Sequence, residues 1–87
     1  MNLASLLSKD RINLSLDPGK KDEVIKELVY AVKKGSDAEL IVSTLLKREE
    51  LGSTGIGKGI AIPHCRSLVV EKLEIAVGRT KKPVNFN

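Results

Sequence analysis

Aromatic residues are almost missing from this 87-residue chain: Tyr30 and Phe86 stand alone, and there is no tryptophan. Binding single-stranded nucleic acid by base stacking needs several aromatic platforms, so that class is excluded. A single cysteine, Cys65, excludes an internal disulfide framework and a multi-cysteine zinc site. The expected compartment is therefore the cytosol. No apolar run approaches the ~18–20 residues of a membrane span. The opening, MNLASLLSKD, has no basic n-region, and its apolar stretch is too short for a secretory signal.

What is present is a soluble globular balance, 41% apolar and 30% charged. The length allows one small domain, burying roughly 60–65% of the surface that the unfolded chain exposes. The net charge of +4 is unevenly placed. Residues 1–50 carry nine basic and nine acidic side chains, whereas residues 51–87 carry Lys58, Arg66, Lys72, Arg79, Lys81 and Lys82 against Glu71 and Glu74. The excess is open to two readings, a solvated lysine-rich surface or attraction of an anion or acidic partner. Double-stranded nucleic acid fits less well, because the positive residues are scattered and form no basic helix.

Leu3–Leu7 suits a short helix. Ile12, Leu14 and Leu16 alternate with Asn13 and Ser15, which predicts a strand. Asp17-Pro18-Gly19-Lys20 is turn chemistry. Val24, Ile25, Leu28, Val29 and Val32 recur at helical spacing, predicting a helix over about 20–34 closed by Gly35. Ser36 and Glu39 form an S-x-x-E capping box for a second helix over about 37–50, with an apolar stripe of Leu40, Ile41, Thr44, Leu45 and Leu46. The two helices should pack on each other. After Leu51-Gly52 comes a glycine-dense loop, then Ile60-Ala61-Ile62 as a short buried strand. Leu73, Ile75 and Val77 alternate and predict a strand over 72–79. The tail from Lys81 to Asn87 closes no element. The plan is α/β or α+β, and its few strands predict the beginning of a larger domain rather than a closed sheet.

Gly52 to Lys58 reads G-x-x-x-x-G-K, like a nucleotide-binding P-loop. Gly59 stands where Ser or Thr should hold magnesium, and the loop follows a helix and opens a strand, the reverse of a P-loop. That reading is rejected. The glycines still permit positive φ, and successive N–H groups in such a loop can cup an anion; the alternative is a plain tight connection.

His64 is the only histidine. A solitary histidine after Pro63 is open to a purely structural reading. Three features favour chemistry: it ends an apolar strand beside the glycine loop, Arg48 precedes that loop, and Arg66 follows two residues on. Neutral imidazole is a nucleophile, and guanidinium groups suit a phosphoryl group. His64 and Cys65 alone offer too few ligands for a metal. In extended backbone they point to opposite faces, which disfavours a Cys–His pair and makes Cys65 a packed apolar residue.

The stretch Arg48-Glu49-Glu50-Leu51-Gly52-Ser53-Thr54-Gly55-Ile56-Gly57-Lys58-Gly59-Ile60-Ala61-Ile62-Pro63-His64 resembles the active-site signature of enzyme IIA domains of the bacterial phosphoenolpyruvate-dependent sugar phosphotransferase system. The type is the fructose/mannitol one, which includes the nitrogen-regulatory IIA proteins. The resemblance implies a mixed β-sheet flanked by helices and no metal or organic cofactor. It implies that His64 accepts a phosphoryl group from the phosphocarrier HPr, or a nitrogen-branch paralogue, and passes it to a cysteine of a IIB domain. Arg48 matches the family's active-site arginine. The N–H groups of a phosphate-binding loop, Gly52, Ser53, Thr54, Gly55, Gly57 and Gly59, would join it around the phosphoryl oxygens. One His64 ring nitrogen would attack while a partner holds the other. Ile56 or Ile60, with a basic rim including Lys58 and Arg66, would suit an acidic or phosphorylated partner.

This chain departs from the family pattern in three ways. Cys65 replaces a frequent glycine, Lys58 a short polar residue, and residues 1–87 match only the N-terminal portion of a type-2 domain that runs to about 150 residues. The second active-site histidine of mannitol-type members is absent. Three roles follow as expectations: a sugar-transport phosphocarrier, a regulatory module whose phosphorylation switches contacts with a target protein, or an inactive fragment that self-associates through exposed core surface.

Overall fold

The computed structural model describes residues 3–17 and 19–86. Pro18 of the expected turn and Asn87 of the tail lie outside the described residues. Two short 3₁₀ turns, Leu3–Leu6 and Lys9–Arg11, lead into β1 (Ile12–Leu16). Then come α1 (Lys21–Tyr30), α2 (Gly35–Leu51), β2 (Gly55–Gly57), β3 (Ile60–Ala61) and β4 (Val77–Thr80). The α/β class holds, with parallel and antiparallel pairing in two small sheets.

The strand expected over residues 12–16 is present, but of Ile12, Leu14 and Leu16 only Leu16 is buried. The partner strand is distant. β1 pairs in parallel with β4, Ile12 opposite Val77 and Leu16 opposite Thr80. Parallel strands need a long crossover, which the helices supply. The register shifts between Asn13 and Leu16, where the Asn13 side chain takes the Ser15 N–H at 2.9 Å. A Cβ at Gly78 would run into Leu16 Cδ1 and come within 2.8 Å of Leu28 Cδ2, so a side chain there would push aside the leucine ends that pack β1 and α1 against β4. The strand expected over 72–79 contracts to 77–80, because β1 offers partners only from Val77 onward. Leu73 is half exposed.

The core lies between the helices. Ile25 and Val29 of α1 meet Ala38, Ile41 and Leu45 of α2, with Val42, Leu46, Cys65, Val69, Val70 and Phe86 packed around them. α1 stops at Tyr30 instead of continuing to 34. The N–H groups of Val32 and Lys33 both turn to the Val29 carbonyl, and Gly35, at φ +67°, reverses the chain. The expected capping box is not formed: α2 starts at Gly35, so Ser36 lies within its first turn, and no side-chain hydrogen bond caps the helix. The inward stripe of α2 is Ala38, Ile41, Leu45 and Glu49, while Leu40 is half exposed. Thr44 hydrogen-bonds back to the Leu40 carbonyl at 2.8 Å.

The second sheet is a hairpin of β2 and β3, with Gly57 opposite Ile60. Its two-residue turn, Lys58-Gly59, has φ of 57° and 76°. Both signs are those of a type I′ turn, which matches strand twist. Lys58 is the one non-glycine residue at positive φ among the described residues, a conformation costing roughly 1–2 kcal/mol. The expectation that Ile60 and Ile62 are buried is overturned: they are 53% and 54% exposed, since no layer packs over this hairpin. The tail belongs to no helix or strand, but Phe86 is anchored, its carbonyl accepting from Lys21 Nζ and Ser53 Oγ, both at 2.7 Å.

Candidate functional site

His64 follows the hairpin in extended backbone, and its direction comes from simple alternation. Ile62, His64, Arg66 and Leu68 face solvent, while Pro63, Cys65, Ser67 and Val69 turn partly inward. Cys65 packs against the core, and burial pushes its thiol pKa up. The Cys–His pair is thus excluded by geometry, as the strand period required.

The His64 ring is held by one bond. Nδ1 lies 2.7 Å from the carbonyl oxygen of Ile62. A carbonyl can only accept, so Nδ1 carries the proton and Nε2 presents its lone pair. This carbonyl is the partner that the sequence left unnamed. Ile62 is itself fixed, its N–H donating to the Thr54 carbonyl at 3.1 Å. Pro63 restricts the residue before it to extended backbone, which sets the direction of the Ile62 carbonyl.

Arg48, half-buried in the last turn of α2, donates through Nη1 to the Gly52 carbonyl at 2.8 Å. The same loop, residues 52–54, thus anchors both Arg48 and, through Ile62, His64. The Gly52 N–H goes to the Glu49 carbonyl at 3.2 Å, and the Gly55 N–H goes to Ser53 Oγ at 3.0 Å. Thr54 is buried, with its N–H and hydroxyl both directed to Glu49. These donors shape the loop in this conformation.

Sequence reasoning missed Glu49 as a site residue. Its carboxylate is buried at the end of the α2 stripe and pairs with Lys21 Nζ at 2.6 Å. It accepts the Thr54 N–H at 3.2 and 3.1 Å and the Thr54 hydroxyl. Lys21 also lies 4.9 Å from the Phe86 ring centroid. Burial acts to raise the Glu49 pKa, but the Lys21 ammonium and the two Thr54 donors outweigh it and hold the carboxyl below its ordinary value. The signal was available: the 38-41-45 spacing puts position 49 on the buried face, and a carboxylate there demands partners. Lys21, in the first turn of α1, is unfavourable to the helix dipole by itself. Glu49 and the Phe86 carbonyl offset that.

A depressed carboxylate pKa stabilises the fold above the unfolded-state value, and that contribution is lost as pH falls through the folded value. Urea midpoints should therefore hold from pH 7 down to about pH 5 and fall below the ordinary glutamate value of 4.5. Glu49→Gln should flatten part of that acid limb. Equal slopes in both proteins would remove Glu49 from the acid response.

Two shallow grooves mark the surface, one between α1 and α2 and one beside the N-terminal turns; neither is lined by His64, Arg48 or the glycine loop. The hairpin and the segment that follows it, which carries His64, expose Ile56, Ile60, Ile62 and Leu68 together with Lys58 and Arg66. Among the described residues no ion pair engages those two cations, whereas Glu74 binds Arg11 at 3.1 Å and Lys33 at 3.2 Å. No helix among the described residues is long and apolar enough to cross a membrane.

The family model for the phosphoenolpyruvate-dependent sugar phosphotransferase system, EIIA 2, matches residues 5–87. The chain belongs to this family. A fructose-specific EIIABC component from Bacillus subtilis is 38% identical to this EIIA-type chain over 99% of the chain and 14% of that protein. A nitrogen regulatory protein from Pseudomonas aeruginosa is 36% identical over 100% of the chain and 58% of its own length. The crystal structure of nitrogen regulatory protein IIA-Ntr from Neisseria meningitidis matches with a TM-score of 0.87 at 34% identity, over 97% of this chain and 59% of that one. The EIIA chain thus spans less than two-thirds of the length of each of these relatives.

Proposed function

We propose that this chain is a phosphoryl carrier that uses His64 as its acceptor. The observation that carries the reading is the Nδ1–H bond to the Ile62 carbonyl, which leaves Nε2 unprotonated on an exposed surface. In the reaction the Nε2–P bond forms as the donor's bond to phosphorus breaks, and the electron pair of that bond stays with the donor. The ring gains positive charge, which the Nδ1–H···O=C bond stabilises. In onward transfer a thiolate of a IIB domain attacks phosphorus, and the Nε2–P electron pair returns to the imidazole.

Such transfer is mostly positioning and charge stabilisation. Arg48, released from the Gly52 carbonyl or sharing its fork, would face the phosphoryl oxygens. The expected help from the loop Gly52, Ser53, Thr54, Gly55, Gly57 and Gly59 is narrower, because the N–H groups of Gly52, Thr54 and Gly55 are spent on Glu49 and Ser53. Exposed Ile56 and Ile60 with Lys58 and Arg66 suit an acidic or phosphorylated HPr-like partner.

Nitrogen regulatory relatives of comparable identity favour a second reading, in which the same phosphorylation switches contacts with a target protein. Incubation with phosphoenolpyruvate, enzyme I, HPr and candidate IIB domains separates the two. Label passing to a IIB cysteine supports transport; label retained on His64 supports regulation; no label on a folded chain refutes both. Arg48→Ala should slow labelling by about 10- to 100-fold while leaving the fold intact, and an unchanged rate would exclude Arg48 from the mechanism.

A further inference from the structure

A continuous run of hydrogen bonds joins the buried carboxylate of Glu49 to the exposed ring of His64. Lys21 Nζ sits on Glu49 Oε2 at 2.6 Å. Both Glu49 oxygens take the Thr54 N–H, at 3.2 and 3.1 Å, and Oε1 also takes the Thr54 hydroxyl. The Thr54 carbonyl takes the Ile62 N–H at 3.1 Å, and the Ile62 carbonyl takes His64 Nδ1–H at 2.7 Å. We propose that Glu49 is a positioning residue for His64, acting through Thr54 and Ile62 to hold the imidazole in its Nδ1–H tautomer and aim Nε2 outward.

The effect is geometric. Thr54 receives Glu49 on the peptide unit before its α-carbon and Ile62 on the one after it, and Ile62 repeats that arrangement. No single amide carries polarisation from one end to the other. What passes along is the orientation of two residues. Glu49 fixes Thr54 by three bonds, Thr54 fixes Ile62, and Pro63 leaves the Ile62 carbonyl little freedom to follow anything else. The choice of residue supports a positional purpose. An apolar side chain at 49 would complete the Ala38-Ile41-Leu45 stripe without desolvating a charge. The chain instead buries a carboxylate whose oxygens are spent on the loop before the hairpin and on Lys21. An imidazole freed of its carbonyl partner distributes its proton between both nitrogens, and molecules protonated on Nε2 cannot attack through Nε2.

The test reads the tautomer directly. His64 is the sole histidine, so its two ring nitrogens are the only imidazole signals in a nitrogen-15 correlation spectrum. The wild-type chain should show one neutral tautomer, with the proton on Nδ1. Glu49→Gln, shown to be folded by circular dichroism, should show a mixture. Its labelling by phosphoramidate, a small donor that needs no docking surface, should fall about 10- to 100-fold. A folded Glu49→Gln protein with the wild-type tautomer and wild-type labelling overturns the proposal. If Glu49→Gln does not fold, Thr54→Val decides: it removes only the hydroxyl bond and should give a smaller shift in the same direction, and an unshifted spectrum overturns the proposal. The rate arm rests on the phosphocarrier reading, whereas the tautomer arm does not. Wild-type protein that takes no label while Glu49→Gln still shifts the tautomer refutes the carrier function and supports the role of Glu49.

Discussion

Replacement of His64 by alanine should reduce phosphate incorporation from phosphoenolpyruvate, enzyme I and HPr to background. No other side chain can substitute. His64 is the only imidazole in the chain, and the adjacent thiol of Cys65 faces the core with its pKa raised by burial, so little thiolate is present to compete. The change should cost almost nothing in stability, because the ring is exposed and makes one hydrogen bond, to the carbonyl of exposed Ile62. Coincident urea curves for the two proteins, with labelling lost in one, would locate the chemistry at position 64. Label retained by His64→Ala would end the carrier reading. It would also detach the Ile62 carbonyl from any part in the reaction.

Ile25→Ala should have the largest effect on stability. Among the described residues Ile25 is the largest fully buried side chain, 1% exposed, and it sits where α1 meets α2. Deleting it leaves a cavity and costs about 2–5 kcal/mol. A chain of this size holds only about 0.05–0.15 kcal/mol per residue. The midpoint of thermal unfolding should therefore drop by at least about 10 °C. Leu68→Ala, at a fully exposed position, should shift it by less than about 2 °C. Equal shifts for the two variants would mean that the core is not where these contacts place it.

The local elements were legible wherever one face of a segment is buried. Val24, Ile25 and Val29 announced α1, because that period is imposed by burial itself; the alternation of Ile12, Leu14 and Leu16 announced β1, although only Leu16 of the three is buried. Reading failed where the outcome depended on a distant segment. Ile60 and Ile62 looked like core, yet their hairpin has no layer above it. Ser36 and Glu39 had the composition of a capping box, but Gly35 turned the chain one residue earlier. The extent of β4 depended on how much of β1 lay opposite.

At the site the division is similar. The motif from Arg48 to His64 singled out the proposed acceptor and its proposed arginine, and the alternation around Pro63 determined that His64 and Cys65 diverge. These are properties of neighbouring residues along one stretch of backbone, and the amino-acid sequence alone determined them. Folding decided the partners: Lys21 across the helix pair, the carbonyl of Phe86 beside it, Thr54 beneath the hairpin, and the Ile62 oxygen that assigns the imidazole proton. A buried carboxylate is stable only with donors around it, and which donors arrive is settled by how helices, loop and tail pack together.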